Sequence, residues 1–280
     1  MKKYLLIPIA LVFIFSACED NKDALITIHT EYGDMKAILY EETPLHKENF
    51  IKLAKSGKYD STTWHRVIEG FMIQGGDVHS KEGTQEPEES RIPAEIVDGF
   101  YHTKGALAAA RQGDQVNPKK MSSSTQFYIV DGKVFSEAEL TTDQYKLNEY
   151  VGRLLQDDKY DTLRQKFIEL QVAGDQAGTQ QLALECKDIV EAEFDVEIDK
   201  DIDPVVLEKY TTVGGAYHLD GAYTIFGRVV EGLEVIDKIA AVETGAADRP
   251  KKETYLTMEV EMVPKKKITE KYGYEYPEEK

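Results

Sequence analysis

The feature that most restricts the possible folds is a series of short strand-like segments separated by glycines and turns. Residues 24–31 alternate in polarity, Tyr32-Gly33-Asp34 is a turn sequence, and Met35 to Tyr40 has the composition of a second strand, which predicts an opening hairpin. Similar segments recur at 65–68, 71–74, 105–110, 125–130, 223–230 and 255–260. Many short strands at such close spacing predict a mostly β fold, either a closed barrel or a sandwich.

Two helices are predicted to accompany these strands. Thr43 is a residue type favoured at an N-cap, and proline is favoured at the first helical position, where Pro44 stands. We therefore expect a helix that begins there and ends near Gly57, since glycine commonly follows the last helical turn. A second helix is predicted from Leu233 to Ala241, between the last two strand-like segments.

A helical and acidic block interrupts the strand pattern at residues 136–211. It opens with a capping-box signature, Ser136-x-x-Glu139, and apolar residues then recur at helical spacing over 147–170 and 182–194. Residues 136–210 hold 19 acidic and 8 basic residues, a net charge of -11 out of -17 for the chain. Because strand-like sequence resumes afterwards, the block is predicted to be an inserted helical subdomain. Its one cysteine, Cys186, lies on an apolar stripe, which predicts a buried structural thiol.

The first 17 residues have the pattern of a signal peptide. Two lysines precede the apolar run Tyr4 to Phe15, and Ser16-Ala17-Cys18 follows. A cysteine directly after Ser-Ala resembles the lipobox of bacterial lipoproteins, which implies cleavage before Cys18 and lipidation of its sulfur. An ordinary secretory signal with a coincidental cysteine is the alternative. Residues 18–23 are predicted to be a polar tether.

Charge and composition exclude several classes of function. A net charge of -17 repels phosphate backbones, so no nucleic-acid partner is expected. The six histidines show no metal-ligand spacing, and the sequence has no GxSxG, no HExxH and no phosphate-binding glycine loop. We therefore expect neither a metal nor another cofactor.

The most informative contiguous run is Trp64 to Asp77. If it forms paired strands, Arg66, Phe71, Met72 and Gln74 share one patch, which combines a planar cation, a ring, a thioether and an amide. Such a patch has no nucleophile and no good general base, so it can bind and polarise a peptide but is poorly suited to cutting it. The pattern alone favours a simpler alternative, in which Phe71 and Met72 are core residues and Arg66 is a surface charge.

This run closely resembles the signature of the cyclophilins, the cyclosporin-type peptidyl-prolyl isomerases. Further blocks match that family in the same order, namely Tyr32 to Phe50, Gly105 to Ala110, Ser124 to Ile129, His218 to Gly221 and Thr224 to Val229. The resemblance covers roughly residues 24–135 and 212–263. It implies a closed eight-stranded antiparallel barrel with two capping helices, interrupted by the helical block at 136–211. The residues after 263 are charged and rich in tyrosine, so we expect a frayed tail at 264–280.

The resemblance also implies roles for individual residues. Arg66 matches the catalytic arginine of the family, and Gln74 matches the glutamine that orients it. Substrate-binding or neighbouring positions are matched by His65, Phe71, Met72, Ala110, Arg111, Gln126, Phe127, Tyr128, His218, Leu219 and Tyr223.

Four of these positions depart from the best-known cyclophilins. Arg111 replaces an asparagine, Tyr128 replaces a phenylalanine of the proline pocket, and Tyr223 replaces a histidine near that pocket. His218 occupies the place of a tryptophan that favours cyclosporin binding. The departure at His218 therefore predicts weak sensitivity to cyclosporin.

Together the resemblances imply a peptidyl-prolyl cis-trans isomerase in the bacterial cell envelope, lipid-anchored on the periplasmic side or in the outer membrane. Its partners would be proline-containing segments of unfolded or exported proteins, and the membrane through the lipid on Cys18. An envelope chaperone or binding module that uses the insertion, with a weak or vestigial isomerase site, is the alternative. A purely structural lipoprotein would predict a broken active-site run, whereas Arg66 and Gln74 are both present.

Overall fold

The computed structural model describes residues 21–277, so the predicted signal peptide and the predicted lipidation site at Cys18 lie outside the described residues. The strands are β1 (Lys22–Thr30), β2 (Gly33–Leu39), β3 (Thr62–Thr63), β4 (Arg66–Ile68), β5 (Met72–Gly75), β6 (Ala106–Ala109), β7 (Phe127–Val130), β8 (Ile225–Glu231) and β9 (Tyr255–Pro264). The α-helices are α1 (Pro44–Lys55), α2 (Val78–Glu82), α3 (Glu137–Thr141), α4 (Gln144–Leu154), α5 (Asp161–Ala173), α6 (Gln176–Glu185), α7 (Lys187–Phe194), α8 (Pro204–Thr212), α9 (Leu233–Ala240) and α10 (Lys265–Tyr272).

Within residues 21–277 the strands form one antiparallel, strongly curled sheet of nine strands, in the order β3-β9-β1-β2-β8-β6-β7-β5-β4. The two end strands, β3 and β4, are separated in sequence by only Trp64 and His65. The Trp64 amide donates to Thr254 O (2.9 Å) beside β9, and the His65 amide donates to Gln74 O (3.0 Å) on β5. The predicted closed barrel of eight strands is not confirmed, because β3 and β4 each pair on one side only.

The main apolar core fills the inside of this curl and is covered by two helices. Side chains of alternate strand positions point inward, since successive residues of a strand face opposite sides of the sheet. Helix α1 buries Phe50 and Ala54 against this core, and α9 buries Val235, Ile236 and Ile239. These are the two helices predicted from Pro44 and from Leu233.

The predicted insertion, residues 136–211, contains α3 to α7 and all but the last residue of α8, and it has a buried apolar cluster of its own. Its first helix begins with the predicted capping box between Ser136 and Glu139. The core contains Leu147, Val151, Leu154, Phe167, Ala183, Cys186, Val190 and Ile198. Cys186 is buried, as its apolar stripe predicted, and burial raises the pKa of its thiol.

The two ends of the described chain are more ordered than the sequence predicted. Strand β1 begins at Lys22, which pairs with Pro264 of β9, so the predicted tether overlaps a strand. The expectation of a frayed tail was wrong, because α10 follows β9 and buries Ile268 together with Tyr274 against the outer side of β1 and β2. None of the helices between residues 21 and 277 has the length and hydrophobicity that a membrane span requires.

Candidate active site

A cavity of about 100 Å³ lies on the outer face of β4 to β7. The residues that line it are Arg66, Phe71, Met72, Gln74, Ala110, Arg111, Tyr128, Leu219 and Tyr223, all of which the sequence predicted for the site. They come from three distant stretches of the chain, which the pairing of β5 with β7 and of β6 with β8 brings together. Four predicted residues, His65, Gln126, Phe127 and His218, do not line this cavity.

Arg66 and Gln74 face each other across the β4–β5 hairpin, where their Cα atoms are direct partners in the register. Their side chains nevertheless have other partners. The Nε–H of Arg66 donates to Asp248 Oδ2 at 3.2 Å, and Gln74 Nε2 donates to Gln126 Oε1 at 3.0 Å. The structure therefore corrects the predicted pairing: a carboxylate contacts the guanidinium, and Gln74 is bound by Gln126. An ionised carboxylate is a stronger acceptor for an arginine N–H than a neutral amide oxygen.

The wall of the cavity opposite Arg66 is largely apolar. Met72, Tyr128 and Leu219 belong to a buried cluster on this face of the sheet, and the Phe71 ring packs against it. His218 stands at the rim, where its ring lies 5.2 Å from the Phe71 ring, centroid to centroid. The cavity thus combines an apolar wall with the guanidinium of Arg66.

Phe127 is a correction to the sequence prediction. Its side chain is buried in the inner core, where its ring packs edge-on against Phe50, Tyr59 and Trp64. Its neighbour Tyr128 faces the cavity instead, because adjacent residues of β7 point to opposite faces of the sheet. Phe127 therefore supports the site from behind and does not contact a ligand in the cavity.

His65 is half-buried and lines a second cavity, of about 530 Å³, on the other side of Arg66. Burial lowers the pKa of its imidazole, so the ring favours the neutral form. Arg66 lines both cavities and therefore stands between them.

Arg111, which departs from the best-known cyclophilins, is fixed at the rim. Its Nε–H donates to Ala222 O at 3.0 Å, and its guanidinium carbon lies 4.3 Å above the centre of the Tyr223 ring. A cation over an aromatic face is an attractive arrangement. Arg111 and Tyr223, which both depart from the best-known cyclophilins, thus stabilise each other, and both line the cavity.

Four functional candidates were missed by the sequence reasoning: Asp248, His102, Asp220 and Tyr210. Asp248 holds the guanidinium of Arg66. The Tyr128 hydroxyl is hydrogen-bonded to the His102 ring. The carboxylate of Asp220 contacts the same ring and also accepts a hydrogen bond from the Tyr210 hydroxyl. No spacing in the sequence points to Asp248, His102 or Tyr210, which lie outside the matched blocks. Asp220 lies within the block His218 to Gly221, but its partner His102 is 118 residues away in the sequence.

Comparison with known proteins gives one consistent family. The family model described as "Cyclophilin type peptidyl-prolyl cis-trans isomerase/CLD" matches residues 25–157 and 207–260. The gap between the two matched stretches, residues 158–206, lies inside the predicted insertion, and the model also matches the first part of that insertion, 136–157. A solved Cryptosporidium parvum cyclophilin type peptidyl-prolyl cis-trans isomerase superposes with a TM-score of 0.50 and 19% identity, covering 87% of this chain and 99% of that one. That similarity supports the fold.

Relatives with curated names agree with the family model. Peptidyl-prolyl cis-trans isomerase CYP18-1 of Arabidopsis thaliana is 27% identical over 231 residues, covering 80% of this chain and 88% of the relative. A Streptococcus pyogenes protein named as a bifunctional phosphatase/peptidyl-prolyl cis-trans isomerase is 28% identical over 247 residues, or 86% of this chain. The chain spans only 40% of the length of that relative.

Proposed function

This chain belongs to the cyclophilin-type peptidyl-prolyl cis-trans isomerase family, and on that premise we propose that the cavity beside Arg66 binds proline residues of exported proteins and isomerises the preceding peptide bond. The observation that carries the proposal is the placement of a fixed guanidinium at the rim of an apolar slot formed by Phe71, Met72, Tyr128 and Leu219. The peptidyl-prolyl isomerase class itself follows from the family.

The chemistry follows from the barrier to rotation about an X-Pro bond. Rotation breaks amide resonance and costs roughly 18–20 kcal/mol. In the twisted state the prolyl nitrogen is pyramidal and carries a free lone pair, to which a guanidinium N–H can donate. Because Asp248 occupies the Nε–H of Arg66, the N–H groups on its two Nη atoms remain for the substrate. A donor that binds the twisted state more strongly than either planar isomer lowers the barrier.

The apolar slot supplies the other half of the mechanism. A proline ring held against Met72 and Tyr128 fixes one side of the rotating bond, so that the rotation moves the residues before it. The reaction needs no covalent intermediate and no cofactor, because only the geometry of the amide changes. Binding and orientation are therefore the tasks of the pocket, and charge stabilisation is the task of Arg66.

The test is a peptide isomerisation assay on residues 21–280, which keep the whole of β1, with three proteins: wild type, Arg66→Ala and Arg153→Ala. Arg153 is an exposed arginine of the insertion, paired with Glu149, and serves as the matched control. We expect Arg66→Ala to lower kcat/KM by about 10²–10³-fold, the usual cost of removing a donor that stabilises a transition state. Arg153→Ala should retain wild-type activity. An active Arg66→Ala protein would remove the guanidinium from the mechanism.

We propose further that the protein is a lipoprotein of the cell envelope. The support is the sequence of residues 1–18, in which Tyr4 to Phe15 forms an apolar run and Cys18 follows two small residues. Expression of the full chain in bacteria fed labelled palmitate tests the proposal. Label should enter the wild-type protein and be absent from Cys18→Ser, which should also leave the membrane fraction. Equal labelling of both proteins would contradict lipidation at Cys18.

A second candidate function is the binding of unfolded segments by the insertion. It is favoured by a cavity of about 720 Å³ between α4, α5 and α6, whose apolar lining includes Val151, Leu155, Phe167 and Leu170. The test is suppression of aggregation of a heat-unfolded client by wild type and by Leu170→Asp. Loss of suppression with normal peptide isomerisation would assign holding of clients to the insertion, whereas equal suppression would exclude this cavity.

A further inference from the structure

A chain of four polar side chains connects the insertion to the wall of the proline cavity. Tyr210, on α8, donates its hydroxyl to Asp220 Oδ2 at 2.6 Å. Asp220 Oδ1 lies 2.8 Å from His102 Nδ1, and His102 Nε2 lies 3.0 Å from the hydroxyl of Tyr128. Tyr210, His102 and Tyr128 are all buried. Buried polar groups linked in this way are costly to disturb, because each would lose a partner that water cannot replace.

We propose that Tyr210, Asp220 and His102 are positioning residues for the isomerase site, through which the insertion holds the Tyr128 ring against the bound proline. This inference rests on the proposed function, since it deepens the role of the same cavity. It also gives the insertion a task that its sequence did not reveal.

The orientation of each hydrogen bond supports a fixed Tyr128. Asp220 Oδ1 also accepts a hydrogen bond from the backbone amide of His102 at 2.8 Å. The carboxylate therefore contacts both the backbone and the ring of His102. With the hydrogen on Nδ1 directed to the carboxylate, Nε2 of His102 presents its lone pair to Tyr128. The Tyr128 hydroxyl therefore donates away from the cavity, and the ring presents carbon atoms to a ligand.

This arrangement compensates for the departure at Tyr128. A buried hydroxyl without a partner costs free energy, and in an apolar slot it would attract water. His102, which does not line the cavity, accepts the hydrogen bond of the Tyr128 hydroxyl, so the tyrosine ring can serve as an apolar wall. The proposal thus explains how a polar residue type fits the position of a phenylalanine in the family.

The backbone around the chain of side chains is tightly packed, so movement of α8 would reach His102. Gly215 has φ +154, and a Cβ atom there would come within 2.1 Å of His102 O and 2.7 Å of the Tyr210 ring. The Ala216 amide donates to His102 O at 2.8 Å. Any other residue at Gly215 would displace one of these groups. The end of the insertion and the segment that carries His102 are therefore held together by backbone contacts as well as by Asp220.

The experiment compares Tyr210→Phe with Tyr217→Phe in the full-length protein. Each variant removes one hydroxyl, and Tyr217 packs against Tyr210 but has no hydrogen bond from its hydroxyl in the described part of the chain. For a proline tetrapeptide we expect Tyr210→Phe to raise KM about threefold to tenfold with kcat nearly unchanged, the scale of one lost hydrogen bond. Tyr217→Phe should behave as wild type.

A double-mutant cycle with Tyr128→Phe separates coupling from a general loss of structure. If the effect travels through the hydrogen-bonded chain, Tyr210→Phe should raise KM far less in the Tyr128→Phe background. Equal effects in both backgrounds, or equal behaviour of Tyr210→Phe and Tyr217→Phe, would overturn the proposal. Failure of the proposed function would look different, because the wild-type protein itself would then lack isomerase activity.

Discussion

The guanidinium of Arg66 and the carboxylate of Asp248 meet across 182 residues of sequence, with Nε 3.2 Å from Oδ2. Asp248 and its neighbour Ala247 both have left-handed backbone angles, φ 58 and φ 57, which are unfavourable for residues other than glycine. The loop that carries them is closed by the Gly245 amide, which donates to Arg249 O at 2.8 Å. Such strain persists only where surrounding contacts fix the backbone, and it is common at functional sites.

Replacing Asp248 should lower turnover without lowering stability. We expect Asp248→Ala to reduce kcat about tenfold, because the guanidinium loses the contact that orients it, while Asp248→Asn retains more activity through its amide oxygen. The melting temperature should hardly change, since both side chains are nearly half exposed and such pairs contribute little to stability. Asp195→Ala, at another left-handed aspartate, is the control. Wild-type kcat in Asp248→Ala would contradict an orienting role.

Cyclosporin sensitivity should depend on His218. The wild-type enzyme is expected to bind cyclosporin weakly, because an exposed histidine stands where cyclosporin-sensitive relatives are expected to carry tryptophan. His218→Trp should strengthen inhibition by restoring a large ring beside Phe71, and His79→Trp, at a partly exposed histidine outside the cavity, is the control. Inhibition constants measured for the three proteins check this expectation, and nanomolar inhibition of the wild type would refute it.

Phe127 and Tyr128 should respond oppositely to substitution, although they are adjacent. Phe127→Ala should lower the free energy of unfolding by about 3–5 kcal/mol, the cost of a large cavity in an inner core. Tyr128→Phe should leave the core intact and change mainly the KM for proline peptides. Urea unfolding curves and isomerisation assays on both variants measure the difference. A stable Phe127→Ala protein with a raised KM would return Phe127 to the ligand-binding face.

Stability should decrease as the pH falls through the range just below 6.5. Burial lowers the pKa of His46 below its usual value, although Glu95 Oε2 lies 2.6 Å from Nδ1, and burial also lowers the pKa of His65. The unfolded chain therefore takes up protons at a higher pH than the folded protein, which favours unfolding on acidification.

Melting temperatures at pH 7.5 and pH 5.5 test this pH dependence, with His46→Asn as the informative variant. Asparagine can still donate a hydrogen bond to Glu95 but does not titrate. The melting temperature of the variant should therefore fall less between pH 7.5 and pH 5.5 than that of the wild type. His29→Asn, at a partly exposed histidine, is the control. An identical decrease in wild type and His46→Asn would show that His46 does not contribute.

The sequence by itself determined the elements of the fold that depend on residues close together in the chain. The hairpin around Gly33, the helix that begins at Pro44 and the capping box at Ser136 follow from local periodicity and local hydrogen bonds. The contiguous run that contains Arg66, Phe71, Met72 and Gln74 identified the family, and the structure places all four at the cavity. The Phe127 prediction failed because a motif match does not state which face of a strand a side chain occupies.

Only the tertiary structure decided which group contacts the guanidinium of Arg66 and what lies behind the Tyr128 wall of the cavity. Asp248 is 182 residues from Arg66, and Asp220 is 118 residues from His102, so no local spacing connects either pair. The same holds for the C-terminal helix, whose few apolar residues are buried only because β9 pairs along β1. A hydrogen bond between distant residues depends on the packing of every element between them, and sequence periodicity describes only one element at a time.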